Sequence, residues 1–422
     1  MQFKKNNFEK SIVYILITIT AVVPLLYFPF KKPDLYPLVS YDNIYEPKIH
    51  TIYYLVILLF ILIILKQYYK YNKIETDINI VSIFIFMIVT MFSTIFSKYP
   101  IQSIYGRPFR NEGFITYVSY ILIFISAGYF INKKYHLKKI VKYLLYSGFL
   151  LSIYGMIQFY GHDFIQSDPI RDKWNRSFST LGNPNFAGSY IVIVLSLSIA
   201  LYVFSEKRKS FLKYGLFSSV YFAFLIATST RSALVGLFIS TIIFIVFYAK
   251  YLLNNYKKII LLLLIFIIIF GIIDYSQQLN YTRRVLSLFT DIQIIAQSDS
   301  DNEIERTGSG RLVIYKYGFP LLFKNPLLGS GPDTFDKVFP HEEFNKIIDG
   351  DYNKIVDKAH NEYLQIGVTL GLPALFFYLL LISNIYKKGF KALKRLKSEI
   401  KERNIYHVAL FMAVVSYTIQ AL

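Results

Sequence analysis

Apolar blocks separated by short polar connections run through most of the chain. They lie at about Ser11–Phe30, Ile49–Leu65, Ile78–Phe96, Phe114–Ile131, Ile140–Tyr160, Phe186–Phe204, Phe211–Ser229, Ser232–Ala249, Ile259–Tyr275 and Glu362–Tyr386, with a last one from Tyr406. Each approaches the roughly 20 residues a helix needs to cross a bilayer. The pattern predicts an all-α integral membrane protein, a polytopic helical bundle. About eleven spans are visible, and twelve are expected in the full protein, because the sequence stops at Leu422 inside an apolar run. The first block follows a basic tail but has no small-residue cleavage site, so it is read as a helix that Pro24 and Pro29 kink or end. Only one polar stretch is long enough to build something of its own, Ser276 to Asn361. The chain therefore divides into residues 1–275, a transmembrane bundle of about nine helices; 276–361, a long, partly helical extracytoplasmic loop; and 362–422, the C-terminal helices.

Composition agrees with this reading. Hydrophobic residues make up 54% of the chain and charged ones 17%, against roughly 25% charged in soluble domains. There is no cysteine, which excludes disulfides and thiolate metal sites. A net charge of +19 suggests nucleic acid until its placement is considered. Lys4, Lys5, Lys10, Lys66, Lys70, Lys73, Lys133, Lys134, Lys138, Lys139, Lys207, Arg208, Lys209, Lys213, Lys250, Lys257, Lys258 and the run from Lys387 to Arg403 fall in one set of alternate connections. The other short connections hold only Lys31, Lys32, Lys48, Lys98, Arg107, Arg110, Arg171, Lys173, Arg176 and Arg231. Basic connections are retained in the cytoplasm, so the N-terminus is expected inside and the long loop outside. The basic stretch Tyr386–Arg403 is read as lying along anionic headgroups.

With that orientation, every chemically promising cluster falls on the outer side. These are GRPFRNEG (Gly106–Gly113), TLGNPNFAG (Thr180–Gly188), TSTRSALVG (Thr228–Gly236), SGRLVIY (Ser309–Tyr315) and KAHNEYLQIGVTLGL (Lys358–Leu372). The last presents His360 and Asn361 at the mouth of an apolar helix, with Leu364, Gly367 and Gly371 on one face. The G-x-x-x-G spacing is expected to admit a closely packed neighbouring helix. Ahead of Thr307-Gly308-Ser309-Gly310 runs an acidic stretch containing Asp299, Asp301, Glu303 and Glu305, and from Arg311 to Phe323 apolar residues recur at helical spacing. Pro326, Gly329, Gly331 and Pro332 end that pattern.

The order TSTRSALVG, then SGRLVIYKYGFPLLFKNPLLGSGPDTF in a long outer loop, then KAHNEYLQIGVTLGLPAL resembles the O-antigen ligase and polymerase superfamily. These are bacterial cell-membrane glycosyltransferases that move a glycan from a polyprenyl pyrophosphate carrier to an acceptor. The resemblance implies an undecaprenyl-pyrophosphate-linked donor, a glycan, lipid or protein acceptor, and no cofactor or metal. His360 matches the family's catalytic histidine. A histidine near its ordinary pKa suits activation of an acceptor hydroxyl. Arg231 and Arg311 suit the departing diphosphate, because guanidinium groups stay charged and bind phosphate oxygens in a bidentate fashion. Asn361, Arg110, Asn183 and Asn185 are candidate substrate contacts.

Blander readings stand beside these. His360 is also explained as a helix start bonded to its loop, Arg231 as an outer-turn charge, Arg311 as a partner of the acidic run, and Asn185 as a helix N-cap. Arg110 and Glu112 are expected to pair with each other. His50, His136, His162, His341 and His407 have no matching context and are read as structural. Within the superfamily, ligation, polymerisation and transfer to protein hydroxyls compete. From other classes come a lipid-linked-sugar transporter or flippase and a non-catalytic scaffold.

Overall fold

The computed structural model describes residues 2–27, 44–68, 78–131, 133–164, 176–277, 281–283, 286, 311–347, 355–396 and 402–422. The acidic run Asp299–Glu305, Pro29, Arg171 and Lys173 lie outside the described residues. Among those residues the protein is all-α. Eight helices are long and apolar enough to cross a membrane, and Phe114–Phe130 and Ile405–Gln420 are shorter apolar helices. The chain forms two compact units.

The first unit comprises Met1–Ile74, Leu122–Leu279 and Tyr386–Gln420. Its helices are α1 (Gln2–Ile17), α2 (Tyr45–Tyr68), most of α5 (Phe114–Phe130), α6 (Lys134–Phe159), α7 (Pro184–Val203), α8 (Arg208–Thr228), α9 (Arg231–Asn254), α10 (Tyr256–Ser276) and α16 (Glu402–Gln420). The centre is α7, apolar all round and therefore buried rather than amphipathic; Ile191, Val194, Leu195 and Leu197 are fully enclosed. Small residues let the other helices close on this core. A side chain at Gly236 of α9 would strike the Ser416 carbonyl of α16 at 2.3 Å. Hydroxyls bridge the same contact, Ser416 Oγ to Ser240 Oγ and to Ser196 Oγ, each at 2.7 Å.

As the proline pattern predicts, α1 ends near Pro24. It passes through a π-turn, Thr18–Val22, into a 3-10 turn, Val23–Leu25. The carbonyls freed there are met by side chains: Thr180 Oγ1 donates to Pro24 O at 2.7 Å and Lys48 Nζ to Leu26 O at 2.6 Å. Buried Glu9 pairs with Lys133 at 2.8 Å and Lys66 at 3.8 Å.

The second unit comprises Glu75–Ile121, Asn280–Ile385 and Ala421–Leu422. It holds α3 (Ile78–Ile95), α4 (Pro100–Tyr105), the start of α5, α11 (Arg311–Gly318), α12 (Phe335–Val338), α13 (His341–Ile347), α14 (Glu362–Leu370) and the first part of α15 (Leu372–Leu396). The pattern from Arg311 to Phe323 folds as expected into α11 and a following 3-10 turn, Phe319–Phe323. Val313, Phe335, Phe339, Phe344, Ala359 and Leu364 form its core.

One expected span is corrected. Glu362–Tyr386 is not a continuous helix but α14 and α15, broken at Gly371, whose φ is +91°. Pro373 in the first turn of α15 has no N–H to carry a helix across the break. The carbonyls left over are satisfied within the unit, which is what makes irregular backbone tolerable here. Ser330 N donates to Val368 O at 3.1 Å, Gly331 N to Thr369 O at 2.8 Å, and Ser93 Oγ to Thr369 O at 3.0 Å. The glycine pair does admit close neighbours, though not a helix face: an added Cβ would meet Leu322 Cδ2 at 2.5 Å from Gly367 and Leu327 O at 2.5 Å from Gly371.

Candidate functional site

His360 is presented by a loop tied down on both sides. Asn361 caps α14, its Oδ1 accepting from Leu364 N at 3.0 Å. Ala359 is fully buried and its N–H donates to Gln365 Oε1 at 2.9 Å. Between these anchors His360 takes a left-handed backbone, φ +53°, uncommon for a residue with a side chain and typical of constrained positions.

The segment before it is held by the GRPFRNEG loop. That loop folds tightly on itself, since a Cβ at Gly113 would meet Gly106 N at 2.3 Å. The buried Asp333 carboxylate accepts from Arg107 N at 2.7 Å and from Glu112 N at 3.2 Å. Two charged side chains then reach across to the histidine loop: Arg110 Nε bonds Asp357 Oδ2 at 2.7 Å, and Glu112 pairs with Lys358. Arg110 and Glu112 therefore do not pair with each other as the sequence suggested. Turned outward, they clamp the two residues that lead into Ala359-His360.

Burial raises the Asp333 carboxyl to about 6, against the opposing pull of Lys358. Burial alone would raise Asp357 too, but its bond to Arg110 and the charge of that guanidinium bring it below the usual carboxylate range. Lys358 would lose its proton more readily on burial, yet Glu112 and Asp333 together push it above the ordinary lysine value. Glu362, the first residue of short helix α14, is raised to about 7, by burial first and by Glu112 second.

The His360 ring receives no hydrogen bond among the described residues. It is open to solvent on one side and crowded by protein on the others. This crowding first, and the nearby Arg311 second, hold its pKa down at about 4, with Asp357 opposing. The imidazole is thus neutral at physiological pH. Arg311 begins α11, one turn before Tyr315 on the same face, and the Tyr315 hydroxyl donates to the His360 carbonyl at 3.3 Å. Among the described residues Arg311 has no carboxylate partner, and no three His, Asp or Glu side chains form a metal-ligating group.

His360, Asn361, Arg311 and Arg110 are thus gathered in the second unit. Arg231, Asn183 and Asn185 belong to the first, around the turn that opens α9. Arg231 is the first residue of α9, after Ser229 in a left-handed conformation at φ +51°. The α7 N-cap is Asn183, not Asn185: its Oδ1 accepts from Asn185 N at 2.8 Å. The amide oxygen of Asn185 instead accepts from Arg176 Nη2 at 3.0 Å. Arg176, counted in the sequence only as an outer charge, also donates to Thr228 O at 2.8 Å and to Thr230 Oγ1 at 3.3 Å, and so fixes the turn carrying Arg231. Two other histidines hold backbone: His136 Nδ1 lies 3.2 Å from Phe130 O, and His341 Nε2 lies 2.8 Å from Asp336 O.

Asp333, Asp357, Lys358 and Glu362 were missed as site residues, although all lie in or beside the motif strings. The available signal was that GRPFRNEG and DKAHNE each carry both signs of charge and fall on one side of the predicted membrane. No curated protein matches the chain. Residues 216–379, which include Arg231, Arg311, His360 and Asn361, match the family model described as O-antigen ligase. That match lies over the segment carrying the histidine loop and supports a likeness to the O-antigen ligase superfamily of membrane glycosyltransferases.

Proposed function

We propose that the protein transfers a glycan from an undecaprenyl-pyrophosphate carrier to an acceptor hydroxyl at the outer face of the bacterial cell membrane, with its N-terminus in the cytoplasm. The observation that carries this reading is the His360 imidazole: neutral, without a hydrogen-bond partner in the described protein, open to solvent and subject to the charge of the Arg311 guanidinium. In the reaction the acceptor oxygen bonds to the sugar C1 as the bond from C1 to the phosphate oxygen breaks. The acceptor proton passes to His360 and the carrier leaves as its pyrophosphate. Attack from the side opposite the diphosphate inverts the anomeric centre, and the leaving group needs no metal activation.

A pKa near 4 makes the free imidazole a weak base. Arg311 is part of the cause, so an anionic diphosphate bound to Arg311 offsets that charge and raises the basicity of His360 when donor is present. Arg231 is assigned to phosphate binding by its residue type, and Asn361, Arg110, Asn183 and Asn185 to substrate contact, directly or through the loops they hold. The meeting of Lys66 and Lys133 on Glu9 supports grouping those connections on one side.

The test uses purified protein in liposomes, a defined lipid-linked donor and acceptors supplied singly, with products read by mass spectrometry. His360→Ala at normal membrane levels is expected to lower transfer by about 10²–10⁴-fold, the usual worth of a positioned base. Undiminished transfer by this variant removes His360 from the chemistry, and lipid-linked sugar movement without transfer points to a transporter.

A further inference from the structure

We propose a binding site for the phosphate of one anionic phospholipid in the first unit, where α6, α8 and α16 begin. A shallow recess opens there. Lys138 and Lys142 of α6 and Lys213 of α8 line it, and no Asp or Glu is among the lining residues. Buried Leu145 and Phe217 contribute apolar lining, and aromatic rings steady two of the ammonium groups: Lys213 lies 4.3 Å from the Tyr214 ring and Lys138 5.7 Å from that of Tyr406.

Three like charges around one small recess repel one another, and among the described residues neither Lys142 nor Lys213 has a carboxylate partner to relieve this. An anion does so. The recess is shallow, so it takes phosphate oxygens at its mouth while the glycerol and acyl chains stay in the bilayer. Its apolar lining is matched by the first methylenes of such a lipid and not by free phosphate. The leaflet concerned is the one at which α6, α8 and α16 start. This proposal uses none of the residues assigned to glycan transfer.

Native mass spectrometry of the protein released from mixed micelles, supplied in turn with phosphatidylglycerol, phosphatidylcholine and inorganic phosphate, tests it. One phosphatidylglycerol is expected to be retained while phosphatidylcholine is not, and millimolar inorganic phosphate should not displace it. Lys142→Gln with Lys213→Gln should weaken retention about thirty-fold, the usual attraction of two lysines to an anionic lipid surface, while Lys142→Arg with Lys213→Arg should keep it. Equal retention of both lipids, unchanged retention in the glutamine variant, or displacement by inorganic phosphate overturns the proposal. Glycan transfer by the glutamine variant, read in parallel, shows whether the recess is separate from the catalytic reading.

Discussion

At the scale of single residues, the proposed transfer turns on how charge is arranged around His360. Asp357 opposes the depression of the histidine pKa, and Arg110 holds Asp357 in place. In the free enzyme the acid limb of kcat/KM due to His360 is expected near pH 4 rather than near the ordinary 6.5. The sign follows from the direction of the shift: a histidine whose pKa is lowered stays neutral, and competent as a base, until the pH falls that far. Glu362 and Asp333 titrate higher, near 7 and 6. The His360 limb is therefore identified as the one that moves to lower pH in Asp357→Asn, where the neighbouring negative charge is gone. A pH–rate series on the two proteins checks this, and a limb that stays put places the titration elsewhere.

Lys358 offers a complementary test of stability. It is the cation shared by Glu112 and Asp333 and also felt by Glu362. Breaking a buried pair by removing one partner costs about 3–5 kcal/mol. Glu112 is a third exposed, so Lys358→Met is expected to cost less, about 1–3 kcal/mol. The loss should be larger at pH 8 than at pH 5, because Asp333 and Glu362, raised to about 6 and about 7, are charged at the higher pH and protonated at the lower one. Thermal melting at both values measures it.

At the scale of elements, the break between α14 and α15 fixes how the histidine helix is seated. Gly371 combines φ +91° with a neighbour that leaves no room for a side chain, the Leu327 carbonyl at 2.5 Å from an added Cβ. Gly371→Ala should therefore destabilise by about 2–4 kcal/mol through backbone strain and displaced hydrogen bonds. Gly271 in α10 has nothing within 4 Å of an added Cβ, and Gly271→Ala should be neutral or slightly stabilising, as helix propensity favours alanine. Denaturation of the two variants in one detergent separates these outcomes, and equal stability would show that the break tolerates a side chain. The apolar run itself told nothing of this interruption, because hydropathy is blind to which backbone carbonyls a distant loop can satisfy.

At the scale of the whole molecule, the sidedness inferred from lysine and arginine placement is open to direct measurement. The chain has no cysteine, so single cysteines introduced into it report cleanly. His162→Cys, in a connection read as outer, should react with a membrane-impermeant maleimide added to intact cells. Asn254→Cys, at the end of α9 on the side read as cytoplasmic, should react only after the membrane is opened. The reverse pattern would put the His360 loop inside the cell and remove the proposed lipid-linked donor from its reach.

The sequence by itself determined that this is a helical membrane protein, where most helices lie, and which short strings carry the candidate side chains. Those follow from local quantities: the length of an apolar run, the placement of lysines, the ordering of motifs. It also singled out His360 and Arg311, and the charge of Arg311 is felt at the imidazole. Only the tertiary structure decided that Arg110 and Glu112 reach across to Asp357 and Lys358, that Asp333 pins the GRPFRNEG loop, that Arg176 secures the turn before Arg231, and that the histidine helix stops at Gly371. Each of these is a pairing between segments far apart along the chain. A lone residue's type says that a charge or a carbonyl must find a partner, while the choice of partner is made by whichever group the packed helices carry within hydrogen-bonding distance.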